Sequence, residues 1–337
     1  MVLKRPQRLA LAQLPTPIQP LTRWSADLGG PQIWVKRDDL TGMDLSGNKI
    51  RKLEYVARAA LDEQANVLIT CGAVQSNHAR ATAVVATRLG LHAHLVLRGE
   101  EPAALAGNYF LDQMVGAACT FITPEAYRTR RQQIMEEIAT AYAQQGRQAF
   151  IIPEGASDGL GAWGYAHAVE EIQQQAAQMG LHFDAMICAV GSGGTQAGLI
   201  LGKALGGWET EIIGINICDD AAFFTSRILE ILDEVRVKYL PQLEVGTANI
   251  HIIDGYAGDG YGKSRTEELE TLVRLARCEG VILDPVYTGK AMHGLVQEIG
   301  RGRFSWMKNI LFLHSGGLFG LLGVADSLRP LVTGSPA

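Results

Sequence analysis

The 337-residue sequence has few cysteines and no excess of basic residues. Its five cysteines form an odd set without a Cys-x-x-Cys pair, which argues against a disulfide framework and against a zinc site. The net charge is -5, whereas proteins that bind nucleic acids normally carry a basic domain or stripe. We therefore predict no metal and no nucleic-acid partner.

Long apolar runs are also missing. The uncharged stretch 309–325 contains His314 and four glycines, and it is short for a membrane-spanning helix. The hydrophobic residues, 47% of the chain, are instead spread over many short runs, and they suffice for a sizeable core. We therefore expect a soluble cytoplasmic protein that does not associate with a membrane.

Glycine, by contrast, is abundant: 38 of 337 residues, or about 11%, against a typical usage of about 7%. No Gly-X-Y period accompanies this excess, so a collagen-like protein is excluded. The glycines are expected at turns, at close helix–sheet contacts and where backbone approaches a ligand.

Short apolar runs alternate with longer helical patterns along almost the whole chain. Several of these runs are continuously apolar, which is typical of parallel strands that are buried on both faces. The alternation predicts an α/β fold of right-handed βαβ units. The predicted strands are 33–36, 67–71, 94–97, 120–123, 150–153, 186–190, 212–217 and 310–314. The predicted helices are 48–62, 77–89, 103–115, 125–145, 160–179, 195–205, 222–239, 265–278 and 288–300.

In sheets of this kind, ligands bind at the turns that follow the strands. One such turn, built from small residues, could direct several backbone N–H groups at a phosphate. It lacks the third glycine of a dinucleotide-binding motif and the lysine of a P-loop, so an ordinary tight turn remains the alternative. The turn consists of Gly191, Ser192, Gly193, Gly194 and Thr195.

Lys49 follows Ser46, Gly47 and Asn48 at a predicted helix start, where the helix dipole disfavours a positive charge. An exposed first-turn lysine is one interpretation. The other is pyridoxal phosphate, which needs an amine for its Schiff base, an anion-binding loop for its phosphate and a partner for its pyridine nitrogen.

The segment 75–78 lies between a predicted strand and a predicted helix. Ser76 or Asn77 could cap this helix, and free N–H groups there could also bind a substrate carboxylate. His78 by itself is more often structural than catalytic.

The segment 155–159 matches the Gly-x-Ser-x-Gly motif of serine hydrolases, with Ser157 as the nucleophile. A triad would then need Asp284 with His293 or His314. Because the motif is short and glycines are frequent here, a chance match is the simpler interpretation, and a hydrolase is kept as an alternative.

Taken together, the motifs resemble those of the D-cysteine desulfhydrase/1-aminocyclopropane-1-carboxylate (ACC) deaminase family, whose enzymes depend on pyridoxal phosphate. The resemblance extends from about Arg8 to Gly323, with the motifs in the family's order. No single motif is specific, but their combination is. They are the segments 36–42, 47–54, 72–78, 191–195, 258–262 and 283–291.

The resemblance implies a tryptophan-synthase-β-like fold, with two open, twisted, mostly parallel sheets and flanking helices. A large cofactor-binding domain would comprise 1–51 and 164–337, and a small α/β domain would comprise 52–163. The cofactor would lie between them, and a homodimer is implied as well.

The resemblance also implies roles for individual residues. Lys49 would form the Schiff base, and Asn77 would contact the ring hydroxyl of the cofactor. The catalytic residues would be Lys49, Ser76, Tyr261 and Tyr287. The other cofactor contacts would be Asn48, Gly191, Ser192, Gly193, Gly194, Thr195, Thr288 and Ser315. The substrate contacts would be Ser76, Asn77, His78, Tyr261 and Tyr287.

Two positions distinguish activities within this family. ACC deaminases have Glu at the position of Thr288 and Leu at that of Ser315, whereas desulfhydrases have Thr at both. A carboxylate beside the pyridine nitrogen makes the ring a strong electron sink, which suits the opening of a cyclopropane, and a hydroxyl leaves the nitrogen largely neutral. A further departure, Ser46 in place of the common Gly, could alter the edge of the pocket.

The sequence thus predicts a pyridoxal-phosphate-dependent β-eliminating lyase for a small amino acid, first of all D-cysteine, with pyruvate, ammonia and hydrogen sulfide as products. The alternatives within the lyases are an ACC deaminase, a cysteate sulfo-lyase and a lyase for another β-substituted alanine. The alternatives outside this class are the hydrolase built on Ser157 and a cofactor-binding protein without useful turnover.

Overall fold

The computed structural model describes residues 5–333. Within this range the chain forms two open sheets with helices packed on both faces. The strands are β1 (Ile18–Pro20), β2 (Gln32–Arg37), β3 (Val67–Ala73), β4 (His92–Arg98), β5 (Ala118–Ile122), β6 (Ala149–Ile151), β7 (Ala185–Val190), β8 (Glu211–Asn216), β9 (His251–Ile253) and β10 (Asn309–His314). The helices are α1 (Thr22–Leu28), α2 (Lys49–Asp62), α3 (Asn77–Arg88), α4 (Gly107–Met114), α5 (Pro124–Ala143), α6 (Ala162–Met179), α7 (Gly194–Gly206), α8 (Ala221–Lys238), α9 (Thr266–Glu279), α10 (Thr288–Gly300), α11 (Leu318–Leu322) and α12 (Ala325–Thr333).

The larger sheet has six strands in the order β1-β2-β10-β7-β8-β9, and its edge pair β1–β2 is antiparallel while the other pairs are parallel. The smaller sheet has four strands in the order β5-β4-β3-β6 and is parallel throughout. The predicted α/β fold with two mostly parallel sheets is therefore confirmed.

All the predicted strands and helices are present in the described range, although their ends differ by a few residues. Five elements show no clear pattern in the sequence and were not predicted: β1, β9, α1, α11 and α12. These elements are short, so they carry too few residues for a periodic pattern and depend on their neighbours for stability.

Strand β3 shows why the apolar runs are continuous. Leu68 packs in a cluster with Val56 of α2 and Val85 of α3. Its neighbour Ile69 points to the other face and packs in a cluster with Met135 of α5. Both faces of the small sheet are therefore covered by helices, as expected for a parallel sheet.

Strand β10 alternates in the same way in the centre of the large sheet. Leu311 and Leu313 pack in the cluster that contains residues of α6, α7 and α8. Ile310 and Phe312 pack in the cluster on the opposite face, formed by α1, α9 and α10.

Within the described residues, no helix is both long and apolar enough to cross a membrane.

The chain enters the small sheet through α2 and returns to the large one through α6. The two helices touch, because a Cβ on Gly164 would lie 2.5 Å from the carbonyl oxygen of Arg51. We propose the division expected from the sequence, with 1–51 and 164–337 as the large domain and 52–163 as the small one. Residues 1–4 and 334–337 of that division lie outside the described range.

Candidate active site

Strand ends from both sheets line one cavity of about 1040 Å³. Ala73 and Arg98 end β3 and β4 of the small sheet, and Val190 ends β7 of the large sheet. This is the edge at which open α/β sheets bind ligands. The predicted site residues that line the cavity are Asn48, Lys49, Ser76, Asn77, His78, Gly191, Ser192, Gly193, Thr195, Tyr261, Tyr287 and Ser315.

Lys49 is the first residue of α2, and the segment before it is held against the loop that follows β10. The backbone N–H of Asn48 donates to the Ser315 carbonyl over 3.0 Å, and the Asn48 amide donates to the Thr195 hydroxyl over 3.1 Å. Gly47 has a φ of +110°, and a Cβ there would lie 2.8 Å from the Ser315 carbonyl oxygen. Glycine is therefore required for this close approach.

The amine of Lys49 lies 3.2 Å from Asn48 Oδ1 and 5.8 Å from the centre of the Tyr287 ring. Burial lowers the pKa of Lys49 to about 8, although the charges of Asp284 and Glu154 oppose this shift. A larger fraction of Lys49 is therefore unprotonated near neutral pH than for an ordinary lysine, and the unprotonated amine is the form that attacks an aldehyde.

The loop between β7 and α7 presents bare backbone to the cavity. Gly193 has a φ of +78°, and a Cβ on the buried Gly194 would lie 2.5 Å from the Ser157 hydroxyl oxygen. The first N–H groups of α7 have no acceptor within the helix, and the helix dipole adds positive potential there. The loop can therefore hold a phosphate dianion.

Lys52 is a site residue that the sequence analysis missed. It is fully buried one helical turn after Lys49, and its Nζ donates to the Gly155 carbonyl and to the Ser157 hydroxyl, each over 3.2 Å. A Cβ on Gly194 would lie 2.7 Å from this nitrogen, so the ammonium lies directly behind the glycine loop. Burial and the charge of Lys49 hold the pKa of Lys52 well below its usual range, and a bound phosphate would counter both effects. The sequence feature that could have indicated Lys52 is its position three residues after Lys49, which places both side chains on the same face of a helix.

Ser157 does not have the surroundings of a hydrolase nucleophile. Its hydroxyl lies 2.8 Å from the Ser192 hydroxyl and accepts a hydrogen bond from Lys52. The two histidines considered for a triad, His293 and His314, make their hydrogen bonds to other residues. The hydrolase alternative is therefore wrong, and Ser157 belongs to the support of the glycine loop.

Tyr287 and Tyr261 form a pair whose hydroxyl oxygens are 2.5 Å apart. Burial raises the pKa of Tyr261 to about 12 and holds the pKa of Tyr287 well above its usual range. Both hydroxyls therefore keep their protons at neutral pH. The Asp284 carboxylate accepts a hydrogen bond from the Tyr287 N–H over 2.9 Å and so fixes the turn that carries this ring.

Three predicted positions do not line the cavity: Gly194 in the glycine loop, Thr288 and Ser46. Thr288 is fully buried, and its hydroxyl donates to Asp284 Oδ1 over 2.6 Å and accepts from the Asp284 N–H over 2.9 Å. These hydrogen bonds stabilise the turn before α10, and the contact of Thr288 with the cofactor stays a prediction. The hydroxyl of Ser46 donates to the Asp39 carbonyl, so this serine does not alter the pocket edge.

Helix α3 begins at the cavity with the predicted cap. The Ser76 hydroxyl accepts a hydrogen bond from the N–H of Ala79 over 3.2 Å. His78 Nε2 lies 2.8 Å from the hydroxyl of Thr70, which itself donates to the Ile152 carbonyl. Nε2 therefore carries the proton. Burial holds the pKa of His78 well below its usual range, so the imidazole stays neutral.

Residues 5–333 contain no cluster of three or more His, Cys, Asp or Glu side chains suited to a metal ion.

Lys49, whose pKa is lowered, lines the cavity. The buried amine of Lys52 lies behind the glycine loop, at which a Cβ on Gly194 would clash. The Lys49 amine can form a Schiff base with the aldehyde of pyridoxal phosphate, and the glycine loop can bind its phosphate. On this two-sheet scaffold, the combination defines the class of pyridoxal-phosphate enzymes with the tryptophan-synthase-β-like fold. The family model described as pyridoxal-phosphate dependent enzyme matches residues 9–316, and the chain belongs to this family.

Individual relatives narrow the resemblance. A mitochondrial bifunctional D-cysteine desulfhydrase/1-aminocyclopropane-1-carboxylate deaminase of Arabidopsis thaliana is 39% identical over 334 residues, which cover 96% of this chain and 81% of that protein. The crystal structure of an ACC deaminase homologue superposes with a TM-score of 0.87 at 38% identity and covers 97% of both chains. An L-serine ammonia-lyase of Rhizomucor miehei shares the fold, with a TM-score of 0.68 at 18% identity over 96% of this chain and 99% of that chain.

Replacing Lys52 by methionine is expected to weaken the binding of pyridoxal phosphate about 10- to 100-fold, because a charge-assisted hydrogen bond to the phosphate is lost. The folded apoprotein should lose little stability, because removal of a buried amine of lowered pKa offsets the loss of its hydrogen bonds to Gly155 and Ser157. Titration of the apoprotein with cofactor, followed by absorbance, measures the effect. Exposed Lys263 provides the matched control, and equal dissociation constants for both variants would contradict the assignment.

Proposed function

We propose that the protein is a β-eliminating lyase that prefers D-cysteine and forms pyruvate, ammonia and hydrogen sulfide from it and water. The observation that carries the proposal is Ser315, which lines the cavity and whose carbonyl binds the segment before Lys49. A hydroxyl at this place leaves the pyridine nitrogen largely neutral. Elimination of a good leaving group such as a thiolate needs only such a modest electron sink.

ACC deamination is the second candidate, because the names of the Arabidopsis relative and of the homologous crystal structure both include it. Opening an unactivated cyclopropane needs a stronger electron sink. The chain has Thr288 at the sequence position where ACC deaminases have Glu, and the hydroxyl of Thr288 is bonded to Asp284. This difference favours the desulfhydrase reaction.

The roles proposed for the residues follow from their positions. Bound pyridoxal phosphate supplies an electron sink for negative charge at the substrate Cα. The amine of Lys49 takes the Cα proton, for which its lowered pKa suits it near neutral pH. Ser76 and the first N–H groups of α3 orient the substrate carboxylate. The protonated hydroxyls of Tyr287 and Tyr261 donate hydrogen bonds that stabilise the negative charge of the leaving sulfur, which takes its proton from water after release.

A substrate panel tests the proposal: D-cysteine, L-cysteine, cysteate, D-serine and ACC, with sulfide, sulfite, pyruvate and 2-oxobutyrate measured. We expect equal amounts of sulfide and pyruvate from D-cysteine, with kcat/KM at least about tenfold above that for every other compound, which corresponds to about 1.4 kcal/mol of transition-state selectivity. Formation of 2-oxobutyrate from ACC with comparable efficiency would overturn the interpretation of Thr288 and Ser315. Sulfite from cysteate as the main product would identify a sulfo-lyase.

We further propose that the enzyme works in the cytoplasm as a homodimer. All five cysteines are free, which is typical of proteins in a reducing compartment. The homodimer is inferred from the family resemblance.

A further inference from the structure

The amide of Asn77 is held from behind by a second asparagine. Asn77 lines the cavity at the start of α3, and Asn108 of α4 lies behind it. Asn108 Nδ2 lies 2.9 Å from Asn77 Oδ1 and 2.9 Å from the carbonyl oxygen of Gln75. Asn108 is fully buried, so these contacts are not exchanged for contacts with water.

Two neighbours fix the orientation of the Asn108 amide. The Nε of Arg80 lies 2.9 Å from Asn108 Oδ1, and a guanidinium can only donate. The Gln75 carbonyl on the other side can only accept. Both contacts require the same arrangement, with the Asn108 oxygen towards Arg80 and its NH2 group towards Asn77.

The orientation of Asn77 follows from that of Asn108. Because the Asn108 NH2 group donates, Asn77 must turn its oxygen towards it, and the NH2 group of Asn77 is left to donate into the cavity. We propose that Asn108, oriented by Arg80, is a positioning residue that makes Asn77 donate a hydrogen bond to the ring oxygen of bound pyridoxal phosphate. The proposal rests on the proposed role of Asn77 in the cofactor site.

Arg80 connects this pair to the catalytic lysine. Its guanidinium, which is 1% exposed, also donates to the carbonyl of Ser46 over 2.7 Å and to the carbonyl of Asp44. Both carbonyls belong to the segment that leads into Lys49. The buried Arg80 side chain therefore fixes the position of the segment before Lys49. Through Asn108 it also fixes the orientation of the Asn77 amide.

The variant Asn108→Asp tests the proposal with little change in shape. Its carboxylate still accepts from Arg80 but can no longer donate, so Asn77 is expected to turn its NH2 group away from the cavity and its oxygen into it. The ring oxygen then loses a donor and meets an acceptor, so it holds the proton at the Lys49 linkage more strongly. We expect the midpoint pH of the cofactor's visible band to rise by about one unit. The dissociation constant of pyridoxal phosphate should rise about three- to tenfold.

Two further variants separate this effect from others. Asn66→Asp adds the same charge at an exposed position and should leave the midpoint pH unchanged. In an Asn77→Ala background, Asn108→Asp should cause no further shift, because the residue through which it acts is missing. A lower melting temperature with an unchanged midpoint pH, or the same shift in the Asn77→Ala background, would overturn the proposal.

The readout is the colour of the holoenzyme and not its turnover. A yellow protein that does not process D-cysteine would therefore contradict the proposed function and leave this inference intact. A D-cysteine lyase whose spectrum does not respond to Asn108→Asp would contradict the inference alone.

Discussion

Replacement of Lys49 by alanine should abolish the visible absorbance of the cofactor-loaded protein and lower lyase activity at least about 1000-fold. The change removes the amine that carries the cofactor and the base that takes the substrate proton. Its partners, the Asn48 amide and the Tyr287 ring, cannot replace either function. Absorbance spectra and sulfide release from D-cysteine measure the two effects.

Two controls make this result specific. Lys49→Arg keeps a positive charge without an amine that can bond to the aldehyde, so it should be as colourless and inactive as the alanine variant. Lys263→Ala changes an exposed lysine and should remain yellow and active. Borohydride reduction of the wild-type holoenzyme should leave the cofactor on the peptide that contains Lys49, and a yellow, fully active Lys49→Ala protein would refute the assignment.

Replacement of Arg51 by methionine should destabilise the fold by about 3–5 kcal/mol near neutral pH. The buried Arg51 guanidinium makes two hydrogen bonds of 2.8 Å to the Asp38 carboxylate and two, of 2.9 and 3.0 Å, to that of Glu171. Lys36, bonded to Glu171 over 2.5 Å, would be the remaining cation of this cluster. The variant therefore leaves buried carboxylate charge that is only partly compensated, and urea unfolding measures the loss.

The loss of stability caused by Arg51→Met should become smaller at acidic pH. Burial alone would raise the pKa values of Asp38 and Glu171, but Arg51 and Lys36 outweigh it and hold both below their usual range. Groups with lowered pKa values stabilise the fold above the ordinary carboxyl range, and their contribution disappears as the pH falls through the folded-state values. The difference between wild type and Arg51→Met should therefore shrink as the pH falls below about 4.

The matched control lies on the same helix. Arg58 of α2 pairs with Asp62, and both side chains are more than a third exposed, at 38% and 52%. Arg58→Met should cost no more than about 0.5 kcal/mol, because solvent screens an exposed pair. Equal losses in the two variants would show that burial of the Arg51 cluster does not determine its contribution.

The strand and helix pattern was readable from the sequence because it depends on local periodicity. A strand such as β3 is apolar at successive positions, and a helix such as α6 carries its own pattern over many residues. The turns after such strands are the binding edge of any parallel sheet, so the loop at Gly193 and the position of Lys49 could be identified before the fold was known. The excess of glycine likewise pointed to backbone that approaches other groups closely, as at Gly47 and Gly194.

What the sequence by itself determined is thus the α/β class, the order of the elements and the residues at the strand ends. Only the tertiary structure decided that Lys52 meets Ser157 across 105 positions of the chain, that Thr288 faces Asp284 instead of the cavity, and that Asn108 sets the amide of Asn77. The physical reason is that hydrogen bonds between distant segments leave no periodic trace in either segment. They arise when packing brings a buried donor and acceptor together and excludes the water that would otherwise satisfy them.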